Sequence, residues 1–376
     1  MNRIDRLNVF YHNRQVGTMA LLQNRLAAFE YSGDWLKSGF SISPFSLPLE
    51  KRVFIPKEDP LDGLFGVFAD SLPDGWGRLL VDRLMRRNGM DPQAVGNLER
   101  LAIVGNSGMG ALTYRPVIPM ETIQGERSLD EIAEECQRVL NAGGDGDLDD
   151  LFARGGSSGG ARPKIFTRLE EEEWMIKFPS TEDTRNIGRQ EYDYAACAKE
   201  CGIEMEDIKL FPSNRTEGYF GTRRFDRKGS GEQGKIHMVS AAGLLETSHR
   251  IPNLDYDLLM RLTLELTKSM KDCEELYRRM CFNVFAHNRD DHAKNFTYLY
   301  QEEKQRWVMS PAYDLTYSSS IGGEHATTVN GNGVNPGMRD LLAVAEHIGI
   351  GEGKARKTAE NIKECVTERL GKYLRL

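Results

Sequence analysis

The residues with the clearest chemical potential lie in one short polar segment, His287-Asn288-Arg289-Asp290-Asp291-His292-Ala293-Lys294-Asn295. It follows an amphipathic pattern that predicts a helix, and it precedes an apolar run that predicts a strand. Asp290 precedes Asn295 by five positions, and Asp314 follows Asn295 by nineteen. Phosphoryl transfer from ATP needs a carboxylate that orients the attacking hydroxyl and hard oxygen ligands for Mg²⁺, and this order of acid, amide and acid would supply them.

A glycine-rich segment earlier in the chain offers a place for the phosphates of ATP. Residues 157–164 read Ser-Ser-Gly-Gly-Ala-Arg-Pro-Lys and precede a predicted hairpin whose second strand carries Lys177. Glu191 lies near the start of the next predicted helix, residues 189–200. A glycine loop, a strand lysine and a helix glutamate, followed by the acid–amide–acid series, have the order of the protein-kinase template. Each feature alone is weak. With Asp290 and Asn295 counted as one pair, the five features in one order are much less probable by chance.

The elements that position these residues divide the chain into two predicted domains. Residues 1–118 alternate short strand-like runs with turns and then become helical, which predicts a small α/β domain. Residues 119–376 are predicted as a second domain, strand-rich to about residue 250 and mainly helical over 251–376. We therefore expect an α/β (α+β) fold in which ATP lies between the strand-rich part and the helical part.

The composition excludes several classes of protein. The 376 residues are 40% hydrophobic and 28% charged, which fits a globular chain and argues against disorder. The 49 basic and 56 acidic residues give a net charge of −7, so any DNA contact would need a basic partner. No apolar run approaches the roughly 20 residues of a membrane span, and we expect a cytoplasmic protein without a membrane partner.

The six cysteines lack the Cys-x-x-Cys spacing of zinc or redox sites. Cys197 and Cys201 lie four apart on one predicted helix face and could form half a metal site. Because no histidine follows nearby to complete it, the sequence favours reduced thiols in the core.

Several motifs together resemble those of the HipA-type serine/threonine kinases, the toxin halves of bacterial HipA/HipB toxin–antitoxin systems. The resemblance extends nearly from end to end. Its most specific element is Asn288-x-Asp290-x-His292-x-Lys294-Asn295. The other matching motifs are Ser157-x-x-Gly160-Ala161-x-x-Lys164, Ile176-Lys177-Phe178-Pro179, Arg224-Phe225-Asp226-Arg227, Pro311-x-Tyr313-Asp314, the run Phe65 to Gly75, and Gly105-x-x-Gly108-x-Gly110-Ala111-Leu112.

The resemblance implies a protein-kinase-like (HipA-like) fold and a role for each matching residue. Asp290 would be the catalytic base, Asn295 and Asp314 would bind Mg²⁺, Lys177 would hold the ATP phosphates, and His292 would steady the γ-phosphate or the loop. Residues implied to contact the nucleotide are Ser157, Ser158, Gly159, Gly160, Ala161, Lys164, Lys177, Arg223, Arg224, Phe225, His292, Lys294, Asn295, Tyr313 and Asp314.

The resemblance also implies regulation and partners. Ser157 matches the loop serine that family members autophosphorylate, and Ser158 remains a second candidate. A phosphate there would place about −1.5 to −2 charge beside the ATP phosphates and expel the loop. The implied partners are a HipB-like helix-turn-helix antitoxin, through which DNA is reached indirectly, and a protein substrate such as an aminoacyl-tRNA synthetase or another translation component.

Three other functions compete with this hypothesis. One is a catalytically weak corepressor that keeps the fold and mainly binds the antitoxin, although no expected ligand is missing from the sequence. The second is a small-molecule kinase or nucleotide-dependent ligase with a similar cleft. The third is a metal-dependent nuclease using His287, Asp290, Asp291 and His292, which leaves the glycine loop and Lys177 unexplained. Glu191 could also be only an exposed helix charge.

Overall fold

The computed structural model of the protein describes residues 3–22, 25–119, 127–141, 147–229, 231–320 and 322–374. The strands are β1 Arg6–Tyr11, β2 Arg14–Leu21, β3 Ala27–Tyr31, β4 Val53–Phe54, β5 Leu112–Arg115, β6 Lys164–Leu169, β7 Glu172–Lys177, β8 Ile208–Phe211, β9 Tyr219–Arg223, β10 Met238–Ser240, β11 Leu254–Asp255, β12 Thr297–Gln301, β13 Arg306–Met309 and β14 Thr327–Thr328. The α-helices are α1 Gly33–Ser38, α2 Gly66–Ala69, α3 Gly75–Arg87, α4 Asn97–Val104, α5 Leu129–Leu140, α6 Leu148–Gly155, α7 Ile187–Glu200, α8 Ala241–Leu244, α9 Tyr256–Thr267, α10 Met270–Phe285, α11 Met338–Ile348 and α12 Glu352–Leu374.

The chain packs into two compact units. The first comprises Met1–Gly188 and Phe211–Thr247, and the second comprises Arg189–Leu210 and Ser248–Leu376. The first unit therefore contains the amino-terminal sheet together with the glycine loop and its hairpin, while the second contains most of the carboxy-terminal helices. The domain ranges expected from the sequence, 1–118 and 119–376, rest on local composition and pattern, which do not report packing, and they stay a prediction.

The first unit begins with an antiparallel sheet of strand order β4-β3-β2-β1-β5. In β1, the buried Leu7, Val9 and Tyr11 alternate with more exposed residues, as one covered sheet face requires. Val9 pairs with Gly17 of β2, where any side chain would collide with the Phe29 ring on β3. Packing on this face therefore demands glycine at position 17.

The glycine loop is followed by a hairpin in which β6 pairs antiparallel with β7, and β7 pairs with β9. Two residues, Glu170 and Glu171, form the turn with φ of 49° and 70°, as tight hairpin turns require. The buried Ile165 and Ile176 on these strands pack with α3, α5 and α6 through Trp76, Cys136 and Leu151. This shared core holds in place the hairpin to which the glycine loop is joined.

The second unit is built mainly from helices around α10. Ser269 caps the start of α10 by accepting the Asp272 amide, and Asp255 caps α9 in the same way. Helix α12 buries residues three or four positions apart, which places them on one face against its neighbours. These residues are Ala355, Ala359, Ile362, Val366 and Leu370.

Most elements expected from the sequence are present, with shifted bounds. The helix expected over 189–200 begins two residues earlier, at Ile187. The sequence predicts a left-handed cap at Gly202, and this residue has a φ of 76°. The sequence also predicts one helix and a loop over residues 119–160. Part of that segment lies outside the described residues, and its described part contains two helices, α5 and α6. Across the described part of the chain, no helix is long and apolar enough to cross a membrane.

Candidate active site

The predicted catalytic segment begins where α10 ends in the second unit. His287 has left-handed backbone geometry, with a φ of 52°, so the chain turns sharply away from the helix. Asn288 is buried, and its backbone N–H donates to the Asn283 carbonyl at 2.9 Å. Its side-chain nitrogen donates to Asn283 Oδ1 at 2.9 Å and to the Asp314 carbonyl at 3.4 Å. Asn288 thereby links the start of this segment to the backbone of Asp314.

The two adjacent acids of the segment have different environments. The Asp290 side chain is 64% exposed, whereas that of Asp291 is fully buried. Asp291 Oδ2 accepts the Tyr256 hydroxyl and lies 3.0 Å from His325 Nδ1, while Oδ1 accepts the Thr327 amide at 3.1 Å. Burial, and then the charge of Asp291, raises the pKa of Tyr256, which therefore remains a hydrogen-bond donor. Asp291 is thus a structural acid, and Asp290 is the acid that is exposed to solvent.

Asn295 lies close to the backbone of Asp290. A single 3₁₀ turn, Ala293–Asn295, brings the Asn295 amide to the His292 carbonyl at 2.8 Å. The side-chain nitrogen of Asn295 donates to the Asp290 carbonyl at 2.7 Å. His292 Nε2 lies 3.9 Å from Asp290 Oδ1. Since this bond uses the nitrogen of Asn295, the amide oxygen remains the atom suited to a hard cation.

Asp314 follows β13 and also has left-handed backbone geometry, with a φ of 53°. The hydroxyl of the preceding Tyr313 donates to the Lys294 carbonyl. The hydroxyl oxygen of Tyr313 also lies 2.6 Å from Thr297 Oγ1 on β12. Together with the bond from Asn288, these contacts fix the turn that carries Asp314 relative to the segment that carries Asp290 and Asn295. Two carboxylates and one amide therefore belong to one hydrogen-bonded framework.

Two buried lysines face each other across the hairpin of the first unit. Lys164 on β6 and Lys177 on β7 are directly paired, so their side chains lie on the same face. Lys164 donates its ammonium group to the Gly159 carbonyl within the glycine loop. Lys177 Nζ lies 5.7 Å from the centre of the Phe220 ring. The base of the glycine loop therefore concentrates positive charge, as a site for phosphate groups requires.

The two loop serines are buried and hydrogen-bonded. Ser157 Oγ donates to the Ser107 carbonyl at 2.7 Å, and Ser158 Oγ donates to the Gly155 carbonyl at 2.6 Å. A phosphate group carries charge and needs solvent or cationic partners, so neither position can accommodate one in this conformation. Phosphorylation of either serine would therefore require the loop to change conformation and expose the hydroxyl.

The glycine loop is held by the start of α3. Gly160, with a φ of 81°, donates its N–H to the Asp74 carboxylate, and its carbonyl accepts the Trp76 amide at 2.9 Å. A side chain on Gly75 would collide with the backbone of Gly160. A side chain on Gly77 would collide with the carbonyl oxygen of Ser158 in the same loop. The run of sequence from Asp74 to Gly77 is therefore explained by close contact with the loop.

Arg162, whose role in the loop the sequence leaves open, makes a two-point ion pair. Its Nε and terminal nitrogen each lie 3.0 Å from one oxygen of Asp183. Burial acts to raise the pKa of Asp183, but the bonds from Arg162 and the Ser180 amide lower it overall. Arg162 thus anchors the end of the loop to the segment after β7.

The family resemblance implies that the segment Arg223 to Phe225 contacts the adenine base of the nucleotide through backbone groups, and its charged side chains are engaged with other residues. Arg223 pairs with Glu172 at 2.6 Å. Arg224 places its guanidinium 4.2 Å from the centre of the Phe166 ring, and its backbone N–H donates to the Glu173 carbonyl at 2.8 Å. A contact with a base through backbone groups remains a prediction.

The predicted site residues fall into two sets, one within each unit. The first unit brings together Ser157, Ser158, Gly159, Gly160, Ala161, Lys164, Lys177, Arg223, Arg224 and Phe225, and the second Asp290, His292, Lys294, Asn295, Tyr313 and Asp314. Glu191, in the second unit, is buried rather than an exposed helix charge. The nuclease alternative loses support because Asp291 is engaged, and within the described ranges His287, Asp290, Asp291 and His292 do not converge into a metal-binding group.

Comparison with known proteins agrees with this fold. A family model described as HipA N-terminal domain matches residues 7–115, and one described as HipA-like C-terminal domain matches residues 156–370. The chain therefore belongs to the HipA family. It is similar to HipA in the structure of the Shewanella oneidensis MR-1 toxin–antitoxin complex of HipA, HipB and operator DNA, with a TM-score of 0.71 and 17% identity over 98% of this chain and 92% of that chain. The expected α/β, HipA-like fold is confirmed.

Two further relatives are more distant or partial. "Putative kinase Y4dM" of Sinorhizobium fredii is 25% identical over 171 residues, which are 42% of this chain and 40% of that protein. The chain thus matches less than half the length of this curated relative. The Helicobacter pylori proinflammatory kinase CtkA gives a TM-score of 0.37 at 15% identity, over 57% of this chain and 89% of that chain, which is too low to establish a common fold.

Sequence reasoning missed the structural acids beside the candidate site. Asp291 accepts bonds from Tyr256 and Thr327, which are distant in sequence. Asp226 binds its neighbour Arg224 but also the distant Gly110 amide. Adjacent charges gave no signal that would separate Asp290 from Asp291. The contact of Asp74 with the loop was also missed, although the small residues at 75 and 77 on either side of a tryptophan were a usable sign of close backbone approach.

Proposed function

We propose that the protein transfers the γ-phosphate of ATP, with Mg²⁺, to a serine or threonine hydroxyl of a protein. The observation that carries this proposal is the framework of Asp290, Asn295 and Asp314. It offers an exposed carboxylate for the hydroxyl and two oxygen donors of the kind that Mg²⁺ prefers. Burial of Asp291 supports Asp290 as the base.

In this proposal each residue has a distinct task. Asp290 orients the acceptor hydroxyl and takes its proton, while Asn295 and Asp314 hold the cation. Mg²⁺, when bound, would neutralise charge on the phosphates. Lys177 contacts the phosphates, and His292 steadies the γ-phosphate or the segment around Asp290. Lys294 and Tyr313 hold the nucleotide-binding segments together through the hydrogen bond from the Tyr313 hydroxyl to the Lys294 carbonyl.

The partners follow from family and charge. The Shewanella relative was solved with HipB and operator DNA, which supports a HipB-like helix-turn-helix antitoxin as the partner of this chain. With a net charge of −7, the chain would reach DNA only through that basic partner. A translation component, such as an aminoacyl-tRNA synthetase, remains the substrate class we propose. A corepressor that binds the antitoxin without significant catalysis is the second candidate.

Formation of ADP tests the proposed activity. The purified protein with ATP and Mg²⁺ should release ADP when a protein acceptor or its own loop is available. Lys177→Ala should weaken ATP binding measured by calorimetry, because an ammonium group beside the phosphates is lost. Arg168→Ala, an exposed cation on the same hairpin, is the matched control and should bind ATP normally. Absence of both ADP formation and ATP binding in the unmodified protein would contradict the kinase proposal.

Phosphorylation of the protein by itself should be confined to the glycine loop. We expect one phosphate on Ser157 or Ser158. For the transfer, the serine hydroxyl must leave its buried position and reach the γ-phosphate. Peptide mapping of Ser157→Ala and Ser158→Ala, each incubated with ATP and Mg²⁺, identifies the acceptor. One variant should lose the phosphate and the other retain it. Phosphate found in both variants outside residues 157–164 would refute a regulatory loop.

Asp74 should weaken the binding of ATP while the glycine loop has the conformation seen in this structure. Its carboxylate accepts the Gly160 N–H, a backbone donor of the kind that glycine loops offer to phosphates. Asp74→Asn retains an acceptor of the same size but removes the negative charge. We expect it to tighten ATP binding about two- to fivefold, the scale of one weak charge interaction. Calorimetry measures this, with Asp82→Asn, on the same helix and paired with Arg100, as control. Weaker binding in Asp74→Asn alone would show that the charge is needed to position the loop.

A further inference from the structure

Three cysteine side chains converge in the second unit. Cys197 lies in α7, Cys201 lies one residue beyond its end, and Cys365 comes from α12. The three sulfur atoms lie within 4.8 Å of one another, and Cys197 Sγ is 3.9 Å from Cys365 Sγ. Over the described ranges, no other three cysteine, histidine or acidic side chains approach one another as closely. The sequence offered only the first two, and the fold supplies the third from 164 positions further along the chain.

The spacing of the sulfur atoms suits a metal ion. Thiolate ligands lie about 2.3 Å from Zn²⁺, so tetrahedral coordination separates two of them by about 3.8 Å. The observed 3.9 Å between Cys197 and Cys365 is already at this separation. A disulfide would need the same pair to approach to about 2.05 Å. A metal therefore requires smaller movements of the two helices than oxidation does.

The surroundings of the three thiols combine one ion pair with access from solvent. Arg369 lies one turn beyond Cys365 in α12. Arg369 also pairs with Glu200 at 2.7 Å, which holds its guanidinium beside the cluster. Cys197 is buried, whereas Cys201 and Cys365 are half-exposed and leave a path from solvent. A cation can therefore reach the group from solvent, and the adjoining ion pair carries no net charge.

We propose that Cys197, Cys201 and Cys365 form a binding site for one thiophilic cation of the Zn²⁺ class, with water as the fourth ligand. Each thiol would lose its proton to solvent as the cation binds, which makes binding stronger at higher pH. Three thiolates and a divalent ion would leave one negative charge at the site. The ion would join the end of α7 to α12 and stabilise the helical unit, independently of any reaction with ATP.

Cadmium titration tests this site in the full-length protein. Cd²⁺ is a spectroscopic substitute for Zn²⁺ whose bonds to thiolates absorb in the ultraviolet. The reduced protein, freed of metal with a chelator, should bind one Cd²⁺ with the thiolate absorbance, and native mass spectrometry with Zn²⁺ should show one ion per chain. Cys365→Ser should weaken binding by at least about tenfold, because the loss even of a residue that only orients a metal ligand costs about 10–100-fold. Cys136→Ala, a buried cysteine in the first unit, is the control and should bind normally.

The outcomes separate the metal site from its alternatives. Loss of the signal in Cys201→Ser and in Cys365→Ser, with the Cys136→Ala signal retained, supports the three-thiolate site. Absence of thiolate absorbance in the unmodified protein, or equal binding by Cys365→Ser, would overturn it. So would a mass lower by two hydrogens in the protein purified without reductant, with the linked peptides containing two of these cysteines, because that result identifies a disulfide. Circular dichroism of each variant verifies that the fold is retained.

Discussion

Replacing Asp290 by asparagine is expected to lower the rate of phosphoryl transfer by about 10²–10⁴-fold, the usual contribution of a positioned general base. The substitution keeps the size of the side chain but removes the group that takes the proton of the acceptor hydroxyl. Because the Asp290 side chain is 64% exposed, the fold should be retained. Initial rates of phosphate incorporation, compared with the unmodified protein at saturating ATP and Mg²⁺, measure the effect.

Two controls distinguish catalysis from a general effect of charge. Glu303→Gln removes an exposed carboxylate from the same unit and should leave the rate unchanged. Asp291→Asn should instead lower stability, because Asp291 accepts bonds from Tyr256 and Thr327 in the interior. An Asp290→Asn variant with the rate of the unmodified protein would exclude Asp290 as the base.

Replacing Asp226 by alanine is expected to cost about 3–5 kcal/mol of folding free energy, as removal of one partner from a buried ion pair does. Asp226 is buried and accepts bonds from Arg224, from Arg227 at 2.6 Å and from the Gly110 amide at 2.8 Å. Burial acts to raise its pKa, but the two arginines outweigh burial and hold the pKa well below its usual range. Alanine would leave two guanidinium groups without this carboxylate. Denaturant unfolding monitored by tryptophan fluorescence measures the loss.

The sign of the pH dependence provides a second check on Asp226. Since its pKa is lower in the folded state than in the unfolded state, its stabilisation is present above the unfolded value of about 3.9 and is lost as the pH falls. The unmodified protein should therefore lose more stability below pH 4 than Asp226→Ala does. Asp34→Ala, which removes a surface pair with Lys37, is the control and should change stability little. Equal stability of Asp226→Ala and the unmodified protein would refute the importance of this network.

Local patterns were sufficient to predict most elements of the fold. Apolar side chains four residues apart, from Leu258 to Met270 and from Leu276 to Val284, predict the helices α9 and α10. Ser269 is a candidate cap between them, and its side chain accepts the Asp272 amide at the start of α10. The hairpin of β6 and β7 was predicted from two apolar runs around a charged turn. Local patterns did not predict the division into packing units, because residues 211–247 return to the first unit through contacts between residues that are distant in sequence. Such contacts leave no periodic signal.

The candidate site was less accessible to sequence reasoning. The spacing of Asp290, Asn295 and Asp314 identified a set of side chains that the fold joins through hydrogen bonds. It did not reveal that Asp291 is buried or that Asp74 contacts the glycine loop, since each depends on the path of a distant segment. Cys365 was missed for the same reason. Patterns identify residue types suited to chemistry, but burial decides which of two neighbours is available for it.

The intact mass of the protein, treated with a phosphatase and then incubated with ATP and Mg²⁺, tests the central claim most directly. Phosphoryl transfer predicts a gain of one phosphate, located by peptide mapping to Ser157 or Ser158, and no gain in an Asp290→Asn sample prepared in parallel. An unchanged mass for the unmodified protein, together with no measurable ATP binding, would contradict the kinase function and favour a binding protein that acts through its antitoxin.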